Sequence, residues 1–278
     1  MDAMNAIRRA GDLPGIRAVA LRPPVRKILA RILMVRFLQA AWDTTTPGSL
    51  IRREIFNRGE VGHYQLKGTD QVVWLKHGRD LEALYELIHE GEYEVPAPLR
   101  ARLDKPNVRI VDVGANIGMF SAWALTHWPD ASITSFEPEP DNAALCREWS
   151  AAQPNVTLIE AAATNDDGEL RFETGVGSGS YVTDSEDAIA VPAVDIFPHL
   201  AEADLVKIDI EGGEWSILTD KRMAELTNLV LVMEYHRHMA PFWPPHDAAV
   251  EYLEKAGFAT GFNKPNYWGH GILWAWKD

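Results

Sequence analysis

From residue 108 onward, short apolar runs alternate with segments of helical length, and no other feature of the chain restricts its fold as strongly. Val108–Val113, Ser132–Phe136, Val156–Ile159, Leu205–Ile210 and Leu229–Tyr235 read as strands. Ile117–Trp128, Asp141–Ala152, Glu214–Glu225 and His246–Lys255 read as the helices between them. Apolar strands that alternate with helices imply a mostly parallel sheet covered on both faces. Two closing strands within 258–276, joined across Asn263–Asn266, leave room only for a turn and must pair antiparallel. Residues 169–197 add short polar strands with Gly turns. The fold class expected is therefore α/β.

Upstream the pattern changes. Pro23 and Pro24 open a predicted helix over Val25–Trp42, with Val25, Ile28, Ile32 and Val35 on one stripe. A hairpin follows over Val61–Leu66 and Val72–Leu75, then a helix capped by Asp80 and running to about Glu90. Three segments are expected: a basic helical appendage over 1–55, a hairpin and helix over 56–106, and the α/β domain over 107–278. The helix is too short to hold together alone in water. It is expected to pack on the α/β domain, as a lid or across a homodimer.

Charge supports this division. Residues 1–60 carry 11 Lys and Arg against 5 Asp and Glu, whereas the remainder carries 16 against 35. An acidic body argues against a nucleic-acid partner, whose phosphates require clustered cations. A single cysteine, Cys146, rules out an intramolecular disulfide and a cysteine-based zinc site. It reads as a small core residue. No apolar run approaches the roughly 18–20 residues of a membrane span, and no secretory signal opens the chain. A cytoplasmic protein is expected.

Parallel sheets bind ligands beyond the carboxyl ends of their strands. The first strand ends in Asp112-Val-Gly114-Ala-Asn116-Ile-Gly118, a glycine turn opening a helix, which departs from the dinucleotide fingerprint. The second ends in Phe136-Glu137-Pro138-Glu139-Pro140, where Glu137 stands at the spacing of an acid that binds ribose hydroxyls. Asp112 puts a carboxylate beside the turn, which suits a ligand bearing ammonium or sulfonium and repels phosphate. These residues point to S-adenosylmethionine rather than NAD. Further on, Lys207, Asp209 and Glu211 alternate onto one side of a strand end, and the next strand closes in Glu234-Tyr-His236-Arg-His238. Three ionisable residues in an apolar strand are costly to bury without partners or a ligand.

Those motifs, with Val194-Asp195 and Val206-Lys207-Ile-Asp209-Ile-Glu211-Gly-Gly-Glu214, resemble the FkbM family of S-adenosylmethionine-dependent methyltransferases over about residues 60–260. The hairpin and the helix ending Gly91-Glu-Tyr93 look like that family's lead-in segment. The resemblance implies a class I methyltransferase (Rossmann-like) fold with a seven-stranded sheet whose last strand is antiparallel. It also implies methyl transfer to a hydroxyl, often on a sugar or other natural product. Carried over by position, it implies that Gly114, Asn116 and Gly118 line the methionine half of the cofactor, with Asp112 near its ammonium. Glu137, followed by Pro138, would hold the ribose, and Asn165 or Asp166 the adenine edge. Asp209 would stand beside the methyl group, touching both cofactor and reacting centre. A divalent cation, if bound, would use Asp209 and Glu234. His236 replaces the second carboxylate that a hard ion prefers, so a metal is not favoured.

The acceptor's proton needs a base. His236 is expected to take it, with Glu234 orienting the ring. Lys207, Glu211, His238 and Trp243 are substrate-side candidates. Lys207 is expected to pair with a neighbouring acid, and Trp243 lies in an apolar Pro241–Pro245 loop suited to a substrate wall. Trp123, Trp128, Trp149 and Trp215 lie on predicted helices and read as core. The Gly- and Ser-rich stretch 175–184 reads as a rim loop. The leading function is O-methylation of a small-molecule acceptor. The alternatives are N-methylation of a peptide or protein side chain and non-catalytic cofactor binding.

Overall fold

The apolar runs after residue 108 assemble into one sheet because each has neighbours to cover both of its faces. In a computed structural model that describes residues 34–173, 181–182, 188–265 and 269–278, the chain divides into two compact units, Met1–Glu92 and Tyr93–Asp278.

In the first unit, a helix α1 over 34–42 precedes α2 (Pro47–Phe56), the antiparallel hairpin β1 (Val61–Gln65) and β2 (Val72–Lys76), and α3 (Leu81–Leu84), which continues as a π-helical turn over Tyr85–His89. Glu54 of α2 ties helix to hairpin: its carboxylate accepts from His77 Nδ1 at 3.0 Å and from the Gly78 N–H at 3.0 Å. His77 Nε2 in turn shares a hydrogen bond with Tyr64 Oη at 2.8 Å. The expected boundary after residue 55 therefore falls inside one unit. Asp80 does not cap α3 through its side chain and accepts instead from the Lys76 N–H. Of the stripe read on the N-terminal helix, Val25, Ile28 and Ile32 lie outside the described residues. Val35 is exposed, and the buried positions of α1 are Ala40 and Ala41.

The second unit begins at Tyr93, earlier than the expected 107, because residues 93–106 pack on it. Leu103, just after α4 (Ala97–Arg100), offers its carbonyl to Trp128 Nε1 at 3.2 Å. The main sheet holds β3 (Arg109–Val113), β4 (Ser132–Phe136), β5 (Val156–Ile159), β10 (Leu205–Ile208), β11 (Leu229–Tyr235), β12 (Ala259–Pro265) and β13 (Gly271–Lys277). Its order is β12-β13-β11-β10-β3-β4-β5. Every described pairing from β11 to β5 is parallel, and β13 runs antiparallel between β11 and β12. This is the expected mostly parallel seven-stranded sheet with an antiparallel last strand. The turn into β13 starts later than read, since Asn263–Pro265 still belong to β12.

Helices α5 (Met119–His127), α6 (Pro140–Ser150), α8 (Glu214–Leu218) and α9 (Pro245–Lys255) accompany the sheet. Every residue of α5 from Met119 to Leu125 is buried, as a helix apolar on all sides must be. A single core joins β3, β10, β11 and β13 to α8, α9 and α7 (Phe197–Leu200). Trp123, Trp149 and Trp215 are buried in this unit, as is Cys146, whose thiol burial holds protonated, while Trp128 is half-buried. The polar stretch forms a second sheet, β6-β9-β7-β8, from β6 (Ala162–Thr164), β7 (Gly168–Glu173), β8 (Tyr181–Val182) and β9 (Ile189–Asp195). The rim loop read over 175–184 lies outside the described residues except for the backbone of 181–182. Among the described residues, no helix is long and apolar enough to cross a membrane.

Candidate active site

Sheet register alone draws the site together. Val113 pairs with Phe136 on one side and with Ile208 on the other, and Ile208 pairs with Met233. The next residue on each strand is Glu137, Gly114, Asp209 and Glu234. One row across four adjacent strand ends thus holds four of the residues singled out from the sequence.

The glycine turn is built into the protein before any ligand is considered. The N–H groups of Gly114 and Ala115 both donate to the Phe136 carbonyl, at 3.0 and 2.9 Å. Gly114 has φ +82°, and a Cβ there would lie 1.9 Å from the Asp209 carbonyl oxygen. Gly118, at φ +83°, lets the Trp149 ring pack where a Cβ would sit. Both glycines are therefore required by the chain's own packing as well as by approach to a ligand. Gly114→Ala should lower stability by about 1–3 kcal/mol from overpacking, read as a fall in the denaturant midpoint without a change in slope.

Glu137 is buried, with each oxygen holding one backbone donor: the Asn116 N–H at 2.7 Å and the Glu139 N–H at 2.9 Å. A carboxylate offers about four lone-pair sites, so both oxygens can still accept. Burial, only partly offset by those two hydrogen bonds, pushes its pKa up to about 7. Pro138 is half-buried and leads into Glu139, whose side chain caps α6 through the Asn142 N–H. Asn116 has φ +51°, and its buried Oδ1 has no hydrogen-bond partner among the described residues. That oxygen is an acceptor awaiting a donor.

Lys207 pairs with neighbouring acids, as expected, and one of them is Asp112. Asp112 is fully buried beneath the turn, where Oδ2 accepts from Ser121 Oγ at 2.7 Å and Oδ1 lies 3.5 Å from Lys207 Nζ. Lys207 is 3% exposed and donates to the Gly114 carbonyl at 2.7 Å, with Asp209 Oδ2 3.6 Å away. Burial works against its charge, but Asp209, Asp112 and Glu137 outweigh it and raise its pKa. Lys207 is a buried charge partner under the turn. Asp112 meets Lys207 where the sequence suggested it would meet a ligand's ammonium.

At the other end of the row stands His236. Its backbone N–H and its Nδ1 both donate to Glu214 Oε1, at 2.8 and 3.2 Å, and the other Glu214 oxygen accepts from the Gly212 N–H at 2.7 Å. Trp215 Nε1 donates to the carbonyls of His236 and His238, pinning the segment after β11. The His236 Nε2 faces Glu211, Glu234 and Asp209 at 3.6, 3.7 and 3.9 Å. Burial would lower the ring's pKa, but the Glu214 hydrogen bond and the charges of Glu234, Glu214 and Glu211 push it up to about 10. An imidazolium has no lone pair with which to accept a proton. The partner that orients the ring is Glu214, and Glu234 stands on the opposite side.

Three residues of this cluster escaped the sequence reading as site residues. Glu214 was legible as the acid after a Gly-Gly pair, but its inward aim depends on the turn. Tyr93, buried and edge-on to Phe120, donates to Asp209 Oδ2 at 3.4 Å from a segment distant in sequence. His270 precedes β13, and the pairing of Tyr235 with Gly271 sets it beside His236, the rings 4.9 Å apart.

The remaining candidates disperse. Asn165 and Asp166 form the turn from β6 to β7 in the second sheet, where the Asn165 carbonyl accepts from Arg222 and Asp166 bonds Thr164. Those contacts tie the turn to β6 and to Arg222 in the segment after α8. His238 is exposed, with its ring against Gly212 at φ +108°. Trp243 is 70% exposed and lies over Gly269.

A family model described as "Methyltransferase FkbM domain" matches residues 112–259, more than half of the chain. Among curated proteins, "2-O-methyltransferase NoeI" of Sinorhizobium fredii is 32% identical over 108 residues, covering 38% of this chain and 43% of that protein. The chain thus matches less than half of that relative's length. "Hexuronic acid methyltransferase AglP" of Haloferax volcanii is 24% identical over 184 residues, 63% of this chain and 73% of the relative. Among solved structures, a precorrin-6y C5,15-methyltransferase from Geobacter metallireducens aligns at 21% identity over 66% of this chain and 87% of its own, with a TM-score of 0.40.

Proposed function

Because the chain belongs to the FkbM methyltransferase family, we propose that it uses S-adenosylmethionine to methylate a hydroxyl on a small natural product or sugar-containing metabolite. The observation that carries this reading is the row of Glu137, Gly114, Asp209 and Glu234 across adjacent strand ends. Glu137 would accept from the ribose hydroxyls, and Asn116 Oδ1 from the ammonium of the amino-acid half. Asp209 would lie on the side of the positive sulfur. When bound, the cofactor supplies an electrophilic methyl group carried on that sulfur.

The chain's own residues then have to position the acceptor and take its proton. Holding the oxygen at near-attack distance supplies much of the acceleration. We assign proton uptake to the Asp209–Glu234 carboxylate pair, since His236 already carries both of its protons at neutral pH. His236 acts as a positioning residue, held by Glu214. A sugar-type acceptor accords with the name of one curated relative, a hexuronic acid methyltransferase, and transfer to oxygen with that of the other, a 2-O-methyltransferase. A hydroxyl is favoured over a uronate carboxylate, because the cluster already gathers four acids and would repel an anion.

Calorimetry should find S-adenosylmethionine or its demethylated product at one site, with NADH silent. Glu137→Ala should weaken binding by about 1.5–3 kcal/mol for each charge-assisted hydrogen bond lost. The pH dependence has a definite sign. Hydroxyl donors favour the ionised carboxylate, so binding should release a proton near pH 7 and weaken as pH falls below the Glu137 pKa of about 7. Titrations in buffers of different ionisation enthalpy measure that release. Incubation with the cofactor and a panel of glycosides, polyols and peptides, read by mass spectrometry, tests the acceptor. A methyl ether is expected, and a methylated peptide nitrogen instead would move the assignment to N-methylation.

A further inference from the structure

We propose that Glu234, His236 and His270 form a site for a divalent cation of borderline softness, of the zinc or cobalt(II) kind, with Glu211 and Asp209 at its margin. Glu234, His236 and His270 each offer a donor atom, and these atoms all lie within 4.8 Å of one another. The site rests on this ligand geometry; occupied, it would engage Glu234 and displace the Nε2 proton of His236, so it is a state of the cluster alternative to the proton uptake assigned above.

Distances separate a metal cage from a hydrogen-bonded cluster. His236 Nε2 stands 3.6, 3.7 and 3.9 Å from Glu211, Glu234 and Asp209. Hydrogen bonds between such atoms fall at about 2.7–3.2 Å. Ligands held about 2.0–2.2 Å from a shared metal are spaced more widely from each other. The His236 side chain is 3% exposed, and its Nε2 lies beyond hydrogen-bond distance of each of these three carboxylates. A ring nitrogen of a buried residue thus faces three acids from beyond hydrogen-bond distance.

The surroundings of the ring complete the case. A histidine that binds metal through one nitrogen almost always donates the other to a carboxylate or carbonyl, which fixes its tautomer. Nδ1 of His236 donates to the fully buried Glu214, leaving Nε2 as the ligand atom once the metal has displaced its proton. Two imidazoles with carboxylate select zinc, cobalt or nickel over magnesium or calcium, which prefer all-oxygen sets. The second imidazole comes from β13, the antiparallel strand, through its register with β11.

The test is cobalt(II) binding to the tag-free, chelator-stripped full chain, followed by its visible ligand-field absorption. One equivalent should bind with intense bands, and zinc should displace it. His270→Ala and Glu234→Gln should each weaken binding about 10-fold or more, whereas Trp243→Ala should leave it unchanged. His270 is only half-buried, so its variant should fold, and circular dichroism checks this. Absence of bands at a cobalt excess, or bands unchanged by His270→Ala, would overturn the proposal. Calorimetry with S-adenosylmethionine on the same preparation separates the claims: cofactor binding without cobalt binding removes only the metal site. Cobalt binding without cofactor binding upholds the metal site and removes only the proposed activity.

Discussion

Glu234→Gln should lower turnover by roughly 10²-fold or more, the scale of a lost general base, with cofactor affinity changed little. The expectation follows from geometry. Glu234 ends the row on the side away from Glu137 and faces the protonated His236 at 3.7 Å. The amide is nearly isosteric but accepts a proton far less readily, so the loss should appear in kcat more than in KM. Asp209→Asn should impair both turnover and cofactor binding, because Asp209 also lies 3.6 Å from Lys207 and receives the Tyr93 hydroxyl. His236→Gln gives the contrast. A neutral residue that can still donate to Glu214 should retain more activity than Glu234→Gln. The reverse order, His236→Gln inactive and Glu234→Gln near normal, would return the base to the histidine.

Lys207→Met should destabilise the fold by about 3–5 kcal/mol, the usual cost of removing one partner from a buried charge pair. Methionine replaces the volume, but Asp112 is then left under the glycine turn with only Ser121 on one oxygen. The Gly114 carbonyl also loses its 2.7 Å donor. In the variant, folding must either keep an unpaired carboxylate buried or protonate it. Burial raises the folded-state pKa of Asp112 above its unfolded value. Its penalty is therefore absent below the unfolded pKa and grows as pH rises. Denaturant titrations should show the loss deepening from acid to neutral pH. Adding Asp112→Asn to Lys207→Met should recover part of the stability, and a purely additive double variant would refute the coupling.

The contrast between the glycine turn and the His236 cluster shows what a reading of residues can reach. Strands, helices and the antiparallel closing pair were legible because periodicity and apolar runs are local signals, and Ser132–Phe136, Val156–Ile159 and Leu229–Tyr235 match residue for residue. The row of Glu137, Gly114, Asp209 and Glu234 was legible too, since in a parallel sheet a residue just past a strand end has only one edge on which to lie.

Burial and direction were not legible. Lys207 alternates onto the same side as Asp209, yet its long side chain turns under the turn to Gly114. Asn165 and Asp166 follow a strand, but that strand belongs to the second sheet. His236 was visible as an imidazole after a strand. Its protonation, its orientation by Glu214 and its pairing with His270 depend on a turn, a helix start and an antiparallel register that meet in space only after folding. Local sequence therefore determined the sheet and the identity of its strand-end acids. Tertiary structure decided how each of those charges is paired and how deeply it is buried, because a charge's neighbours, and with them its pKa and reach, come from segments far apart in the chain.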